Sequence, residues 1–127
     1  MNKEQVLEFG FFNLARIESL KVDFRSRIGT ALVRKNIPIS IGRNKPKKTH
    51  PLIMKYDLYK TIHAEMDCII GIDRHLVNNS TLYIYRERKD GTLASSKPCS
   101  TCMSFLKDLG VKKIYHTIDN GYELIKI

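Results

Sequence analysis

His63-Ala64-Glu65 and, further along the chain, Pro98-Cys99-Ser100-Thr101-Cys102 place one imidazole, two thiols and one carboxylate in two short segments. Nitrogen from His63 and sulfur from Cys99 and Cys102 suit a borderline-soft cation such as Zn²⁺. Three protein ligands leave the fourth tetrahedral position open, which a catalytic site needs and a structural site does not. Glu65, two residues beyond His63, can reach water at that open position without ligating the metal. Two thiolates and a neutral imidazole balance the charge of the ion. A helix beginning at Cys99 would also help keep its sulfur deprotonated, because helix N-termini carry partial positive charge.

Taken singly, the halves say little. A C-x-x-C pair also occurs in zinc ribbons and thioredoxin-like proteins, and H-x-E alone carries almost no information. The third cysteine, Cys68, lies five residues past His63, roughly 140° around a helix axis, and is expected to be a small buried hydrophobe. As a fourth ligand it would close the site and leave Glu65 without a role. His50 falls in a basic loop and could approach a phosphate or be solvated; His75 and His116 are expected to be structural. Glu87 and Asp90, near a turn, are expected to be solvent-exposed.

The elements that would position these groups follow from periodicity. Residues 3–22 read as one amphipathic helix, with Val6, Phe9, Asn13, Ile17 and Leu20 near one face and Phe12 and Leu14 widening it. Residues 26–34 and 37–42 read as a hairpin joined by a tight connection at Arg34-Lys35-Asn36. Pro38 lacks an amide hydrogen, which points to an edge strand. Residues 43–61 form a Lys- and Pro-rich loop, with a short helical turn at 53–58, expected to wall the pocket ahead of His63. Residues 63–76 read as a helix with Met66, Ile69 and Ile70 at helical spacings, ended by Asn78-Asn79-Ser80. Thr81-Leu82-Tyr83-Ile84-Tyr85-Arg86 is the clearest strand, followed by a turn at Lys89-Asp90-Gly91. A second motif helix runs from Pro98 through Phe105 and Leu106 to Gly110. A strand over 112–118, a turn at Asp119-Asn120-Gly121 and a strand over 122–127 complete the chain. This order predicts a three-layer α/β/α sandwich around a mixed five-stranded sheet, in which both motif helices can point their N-termini at one metal.

A chain of 127 residues with 43% hydrophobic content predicts a single globular domain spanning 1–127. No apolar run approaches the ~18 residues that span a bilayer, so no membrane association is expected, and Met1-Asn2-Lys3-Glu4-Gln5 lacks the basic-then-apolar pattern of a secretion signal. Three cysteines are an odd count that does not suit a disulfide framework, so a reducing, cytoplasmic compartment is expected. The net charge of +9 includes a cluster at Arg43, Lys45, Lys47, Lys48, Lys55 and Lys60, just before the His-x-Glu motif. Such a surface attracts phosphates, whether of a mononucleotide or of single-stranded nucleic acid; it is equally a solvated loop. Tyr56 and Tyr59 are thin as a base-stacking platform.

The combination H-x-E…P-C-x-x-C, in this order and with each half opening a helix-like segment, resembles the signature of zinc-dependent nucleobase deaminases. From about Arg27 to Tyr115 the chain resembles the cytidine and deoxycytidylate deaminase superfamily. The resemblance implies zinc held by His63, Cys99 and Cys102, with Glu65 moving protons while water attacks C4 of a cytosine and ammonia leaves. It also implies that Asn44, after the second strand, contacts the substrate sugar, that the Cys99 amide and the Ala64 carbonyl hold the base, and that the protein forms homo-oligomers. The expected reaction is hydrolytic deamination of a cytosine nucleoside or nucleotide, with deoxycytidylate favoured. The alternatives are a deaminase of cytosine or adenine in single-stranded DNA or RNA, a non-catalytic zinc-stabilised binding module and, lowest, a thioredoxin-like redox protein.

Overall fold

The computed structural model describes residues 1–46 and 62–127. The short helical turn expected at 53–58 and the positions of Lys47, Lys48, His50, Lys55, Tyr56, Tyr59 and Lys60 lie outside the described residues.

Helices α1 (Lys3–Glu8) and α2 (Phe12–Ser19) are followed by strands β1 (Ile28–Arg34) and β2 (Ile37–Arg43), then by α3 (Ala64–Ile69), α4 (Arg74–Val77) and β3 (Ser80–Arg86). Helix α5 (Ser100–Asp108), β4 (Val111–Ile118) and β5 (Gly121–Lys126) complete the order. The five strands form one sheet in the order β2-β1-β3-β4-β5. Among the described strands, only β3 and β4 run parallel, joined through α5; every other pair is antiparallel. The sheet is therefore mixed, as the alternation of elements predicts.

Side-chain alternation along the strands assigns the two faces. Leu32, Leu82, Ile84 and Ile114 pack against Met66 and Ile69 of α3 and Cys102, Phe105 and Leu106 of α5. Ala31, Val33, Tyr83 and Tyr85 point the other way, against Val6, Phe12 and Ala15 of the first two helices. Helices thus cover both faces of the sheet. At the β1–β2 hairpin, Lys35 and Asn36 both adopt left-handed backbone (φ 52° and 62°), the arrangement of a two-residue turn that matches strand twist. Pro38 sits in the edge strand, beside a bulge after Leu32.

Two expected helices are each broken, and for the same reason. In a continuous helix, Phe9 and Phe11 would lie about 200° apart and could not face one core. The break between α1 and α2, with Gly10 at φ 51°, brings Phe9, Phe11 and Phe12 all onto the Tyr83 ring, with centroids 6.4, 5.8 and 5.2 Å away. A side chain at position 10 would meet Tyr83 Cε2 at 2.6 Å. The reframed α2 buries Phe12, Ala15, Glu18 and Ser19, and it leaves Ile17 and Leu20, expected on the buried face, 44% and 42% exposed. The helix expected over 63–76 breaks at Ile70 (ψ 126°). Ile70 and Ile72 would sit on opposite sides of a continuous helix, whereas here both pack against the core that contains Ile69.

Glu87 corrects another expectation. It is buried, 7% exposed, while Asp90 is exposed. Glu87 accepts hydrogen bonds from Tyr85 Oη and Arg16 Nε, both at 2.9 Å, and lies 3.4 Å from Lys3 Nζ. Burial alone would raise its pKa, but the hydrogen bonds from Tyr85 and Arg16 and the charges of Lys3 and Arg16 outweigh burial and set it below the ordinary carboxyl value. The carboxylate ties both N-terminal helices to β3. Its contribution is full above the ordinary value near 4.5 and is lost as pH falls through the lowered folded value. Glu87→Gln is expected to reduce stability by about 1–3 kcal/mol at pH 7. In urea melts, the gap from wild type should close below about pH 4.5.

Candidate active site

His63 is the N-cap of α3 and Cys99 the N-cap of α5. An N-cap residue has extended backbone (ψ 154° and 166° here), so its side chain turns back over the helix end. Both helices pack on one sheet face, and the two caps therefore meet. His63 Nδ1 lies 3.3 Å from Cys102 Sγ, and Cys99 Sγ accepts a hydrogen bond from the Cys102 amide at 3.4 Å. One ligand atom from each of His63, Cys99 and Cys102 falls within 4.8 Å of the others. Tetrahedral zinc with two sulfurs and one nitrogen separates its ligand atoms by roughly 3.5–3.8 Å. The donor set and the spacing both fit that ion. Cys68 is fully buried, with its thiol pushed up to about 11 by burial. It stands outside the triad, as a small hydrophobe should.

Glu65, in the first turn of α3, is 5% exposed and borders the triad without joining it. Burial raises its pKa; its own backbone amide, the His63 charge and the Cys102 thiol oppose that rise. The Cys102 thiol is itself pushed well up, first by burial and then by the charge of Glu65. A bound divalent cation reverses the second influence, since it favours the thiolate.

Close approach of backbones fixes this geometry. Gly42 of β2 lies so near α3 that a Cβ there would meet Cys68 N at 2.5 Å and Ala64 O at 2.8 Å. Thr30 Oγ1 of β1 donates to Ala64 O at 3.0 Å. Asp67 accepts from the Arg43 amide at 3.0 Å and from Lys45 Nζ at 2.6 Å. On the other side, Ser96 holds the approach to Cys99. Its Oγ donates to Ile84 O at 2.8 Å and lies 2.8 Å from Thr117 Oγ1, and its amide donates to Thr117 O at 3.0 Å.

These groups open onto a cavity of about 490 Å³, lined by Asn44, His63, Ala64, Glu65 and Cys99 among others. All of the expected site residues except buried Cys102 thus line one concavity. Asn44 is also a clamp: its Oδ1 accepts from the Ile28 amide and its Nδ2 donates to Ser26 O, both at 2.8 Å. One N–H and one lone pair of that amide remain for a ligand. The Ala64 carbonyl accepts from Thr30 Oγ1 and, as the first residue of α3, from the helix amide four residues on. Phe24, Ser26, Ser96 and Lys97 also line the cavity. Sequence patterns do not single these residues out, because their role depends on which segments fold together. Of the basic cluster before His63, Lys45 pairs with Asp67, and Arg43 pairs with Glu18 at 3.3 Å.

The family model of the cytidine and deoxycytidylate deaminase zinc-binding region matches residues 13–118. The chain belongs to that deaminase family. The match takes in both motifs, and the His63, Cys99 and Cys102 group of this deaminase is placed to bind the family's zinc. Comparison with curated protein sequences finds no match. Among solved structures, the dCMP deaminase of the cyanophage S-TIM5 in its apo form is similar, with a TM-score of 0.59 and 19% identity over 90% of this chain and 82% of that one. The same cyanophage enzyme in complex with dCMP and dUMP gives a TM-score of 0.59 and 17% identity over 90% and 81%. At these identities the likeness establishes the shared cytidine deaminase-like fold. No helix among the described residues of the deaminase is long and apolar enough to cross a membrane.

Proposed function

We propose that the protein deaminates a cytosine nucleotide, with deoxycytidylate as its preferred substrate, to the uracil form with release of ammonia. The carrying observation is the buried Glu65 carboxylate beside an imidazole–dithiol triad in a cavity of about 490 Å³, within the range of roughly 300–1,000 Å³ of small-molecule sites. The dCMP and dUMP bound by the cyanophage enzyme differ by the amino group that such a reaction removes, which supports the choice of substrate.

When bound by His63, Cys99 and Cys102, zinc supplies Lewis acidity that brings the ionisation of water into the neutral range. Glu65 is the group that moves protons. It takes one from the attacking water and delivers it to the ring nitrogen, then takes the second from the new hydroxyl at C4 and passes it to the departing amino group. A C4–O bond forms, the C4–N bond breaks, and the nitrogen leaves as ammonia. The elevated proton affinity that burial gives Glu65 suits a group that must both accept and release a proton. The Cys99 amide, at a helix N-cap and unused by the helix, holds the base, with Ala64 beside it in the cavity wall. Asn44 offers its spare N–H to the sugar while clamping the 26–28 segment beside it. The free thiols of Cys99 and Cys102 need a reducing compartment, which favours the cytoplasm.

A substrate panel tests this. Zinc-loaded protein is expected to release ammonia from deoxycytidylate with the highest kcat/KM among cytidine, deoxycytidine and their monophosphates. Absence of turnover on all four would remove the proposal.

A further inference from the structure

Lys97 is the only lysine or arginine among the described residues lining the catalytic cavity. It is exposed, and among the described residues it takes part in no hydrogen bond or ion pair, unlike the other cations nearby. A smaller neighbouring concavity of about 220 Å³ carries Lys21, Arg43 and Lys45, but these are already neutralised. Lys21 and Arg43 both pair with Glu18, at 2.7 and 3.3 Å, and Lys45 pairs with Asp67 at 2.6 Å. Asp23 lines that concavity as well. Three cations facing three carboxylates leave little net attraction for an anion there. Among the described residues, the Lys97 charge is uncompensated.

The backbone leading into Lys97 is anchored. Its neighbour Ser96 is anchored to β3 and β4 through Ile84 and Thr117, and buried Pro98 follows it. The exposed lysine side chain thus rises from an anchored backbone two residues from Cys99. The cavity is electrically polarised as a result. Its buried end holds the Glu65 carboxylate, and its solvent edge holds the Lys97 ammonium. A phosphate monoester, carrying about −1.5 to −2 charges at neutral pH, is repelled from the first and attracted to the second. A nucleoside monophosphate therefore enters with its base towards Glu65 and its phosphate at the rim.

We propose that Lys97 is a specificity-determining residue that binds the substrate's phosphate, so that the enzyme prefers a cytosine nucleoside monophosphate to the free nucleoside. This rests on the nucleotide-deaminase reading above. A charge-assisted contact of this kind sets selectivity of roughly 10- to 100-fold.

The test compares wild type, Lys97→Met and Lys97→Arg, all zinc-loaded. Kinetics are measured on deoxycytidylate, deoxycytidine and a cytosine-containing single-stranded oligonucleotide, and binding of deoxyuridylate and deoxyuridine is measured by calorimetry. In Lys97→Met, the ratio of deoxycytidylate to deoxycytidine kcat/KM should fall roughly 10- to 100-fold, chiefly through KM for the monophosphate. Deoxyuridylate affinity should fall in parallel, and Lys97→Arg should restore most of both. An equal loss on nucleoside and nucleotide would assign Lys97 a merely structural role and overturn the proposal, as would an unchanged ratio. A loss confined to the oligonucleotide would overturn it in favour of a polymer. Lys97-dependent deoxyuridylate binding without turnover of any cytosine substrate would uphold the phosphate site while overturning the deaminase reading.

Discussion

Replacing Glu65 with glutamine is expected to lower kcat on deoxycytidylate by about 10²–10⁴-fold, the usual contribution of a positioned acid–base group. Zinc content and melting temperature should stay close to wild type. Glutamine keeps the shape of the side chain and one carbonyl oxygen, so the wall beside His63 and Cys102 remains filled. It cannot accept a proton from water or return one to the ring, and those are the steps proposed for this residue. Glu65 is 5% exposed, and burying a carboxylate is costly unless it is paired or hydrogen-bonded; here His63 and Cys102 offset part of that cost. Stopped turnover with metal retained, measured by ammonia release and elemental analysis of one preparation, separates the proton shuttle from the chelate. Comparable kcat in Glu65→Gln would show that another group moves the proton.

Much of this site was legible in the chain because its chemistry depends on residue type. One imidazole and two thiols, as in His63, Cys99 and Cys102, form one of the donor sets that hold zinc with a position left open, and the carboxylate two residues from His63 follows the same logic. The strands were legible because Thr81–Arg86 and its neighbours are rich in β-branched and aromatic residues. Helix continuity was not. The periodicity of residues 3–22 fits one helix, but Phe9, Phe11 and Phe12 must all reach the Tyr83 ring, and a tertiary demand of that kind leaves no mark on local spacing. Glu87 was misplaced for a related reason: the charges that make its burial tolerable, Lys3 and Arg16, are distant in sequence. Lys97 was indistinguishable from any solvated lysine until the cavity gave it an address. Asn44 was legible as a member of the site, but its role as a clamp on Ser26 and Ile28 required the folded hairpin.

Stripping the metal with a chelator is expected to remove essentially all activity while leaving the protein folded, and added zinc should restore turnover. Small zinc modules behave differently: they unfold without metal, because binding energy is their folding energy. Here the packing does not depend on the ion. One core joins β1, β3 and β4 to α3 and α5, and a second joins the sheet to α1 and α2. Two of the ligands, His63 and Cys99, sit at helix ends outside both. Cys102 alone is part of a core, and burial keeps its thiol protonated in the absence of metal. A neutral buried thiol packs as a small hydrophobe, so the empty site holds no stranded charge at that position. The near-ultraviolet circular dichroism of the chelated protein, which reports the Phe9–Tyr83–Tyr115–Tyr122 ring cluster, should therefore persist while ammonia release stops. Loss of that signal together with activity would mean that the ion holds the domain together, and the catalytic reading of its open position would lose its physical basis.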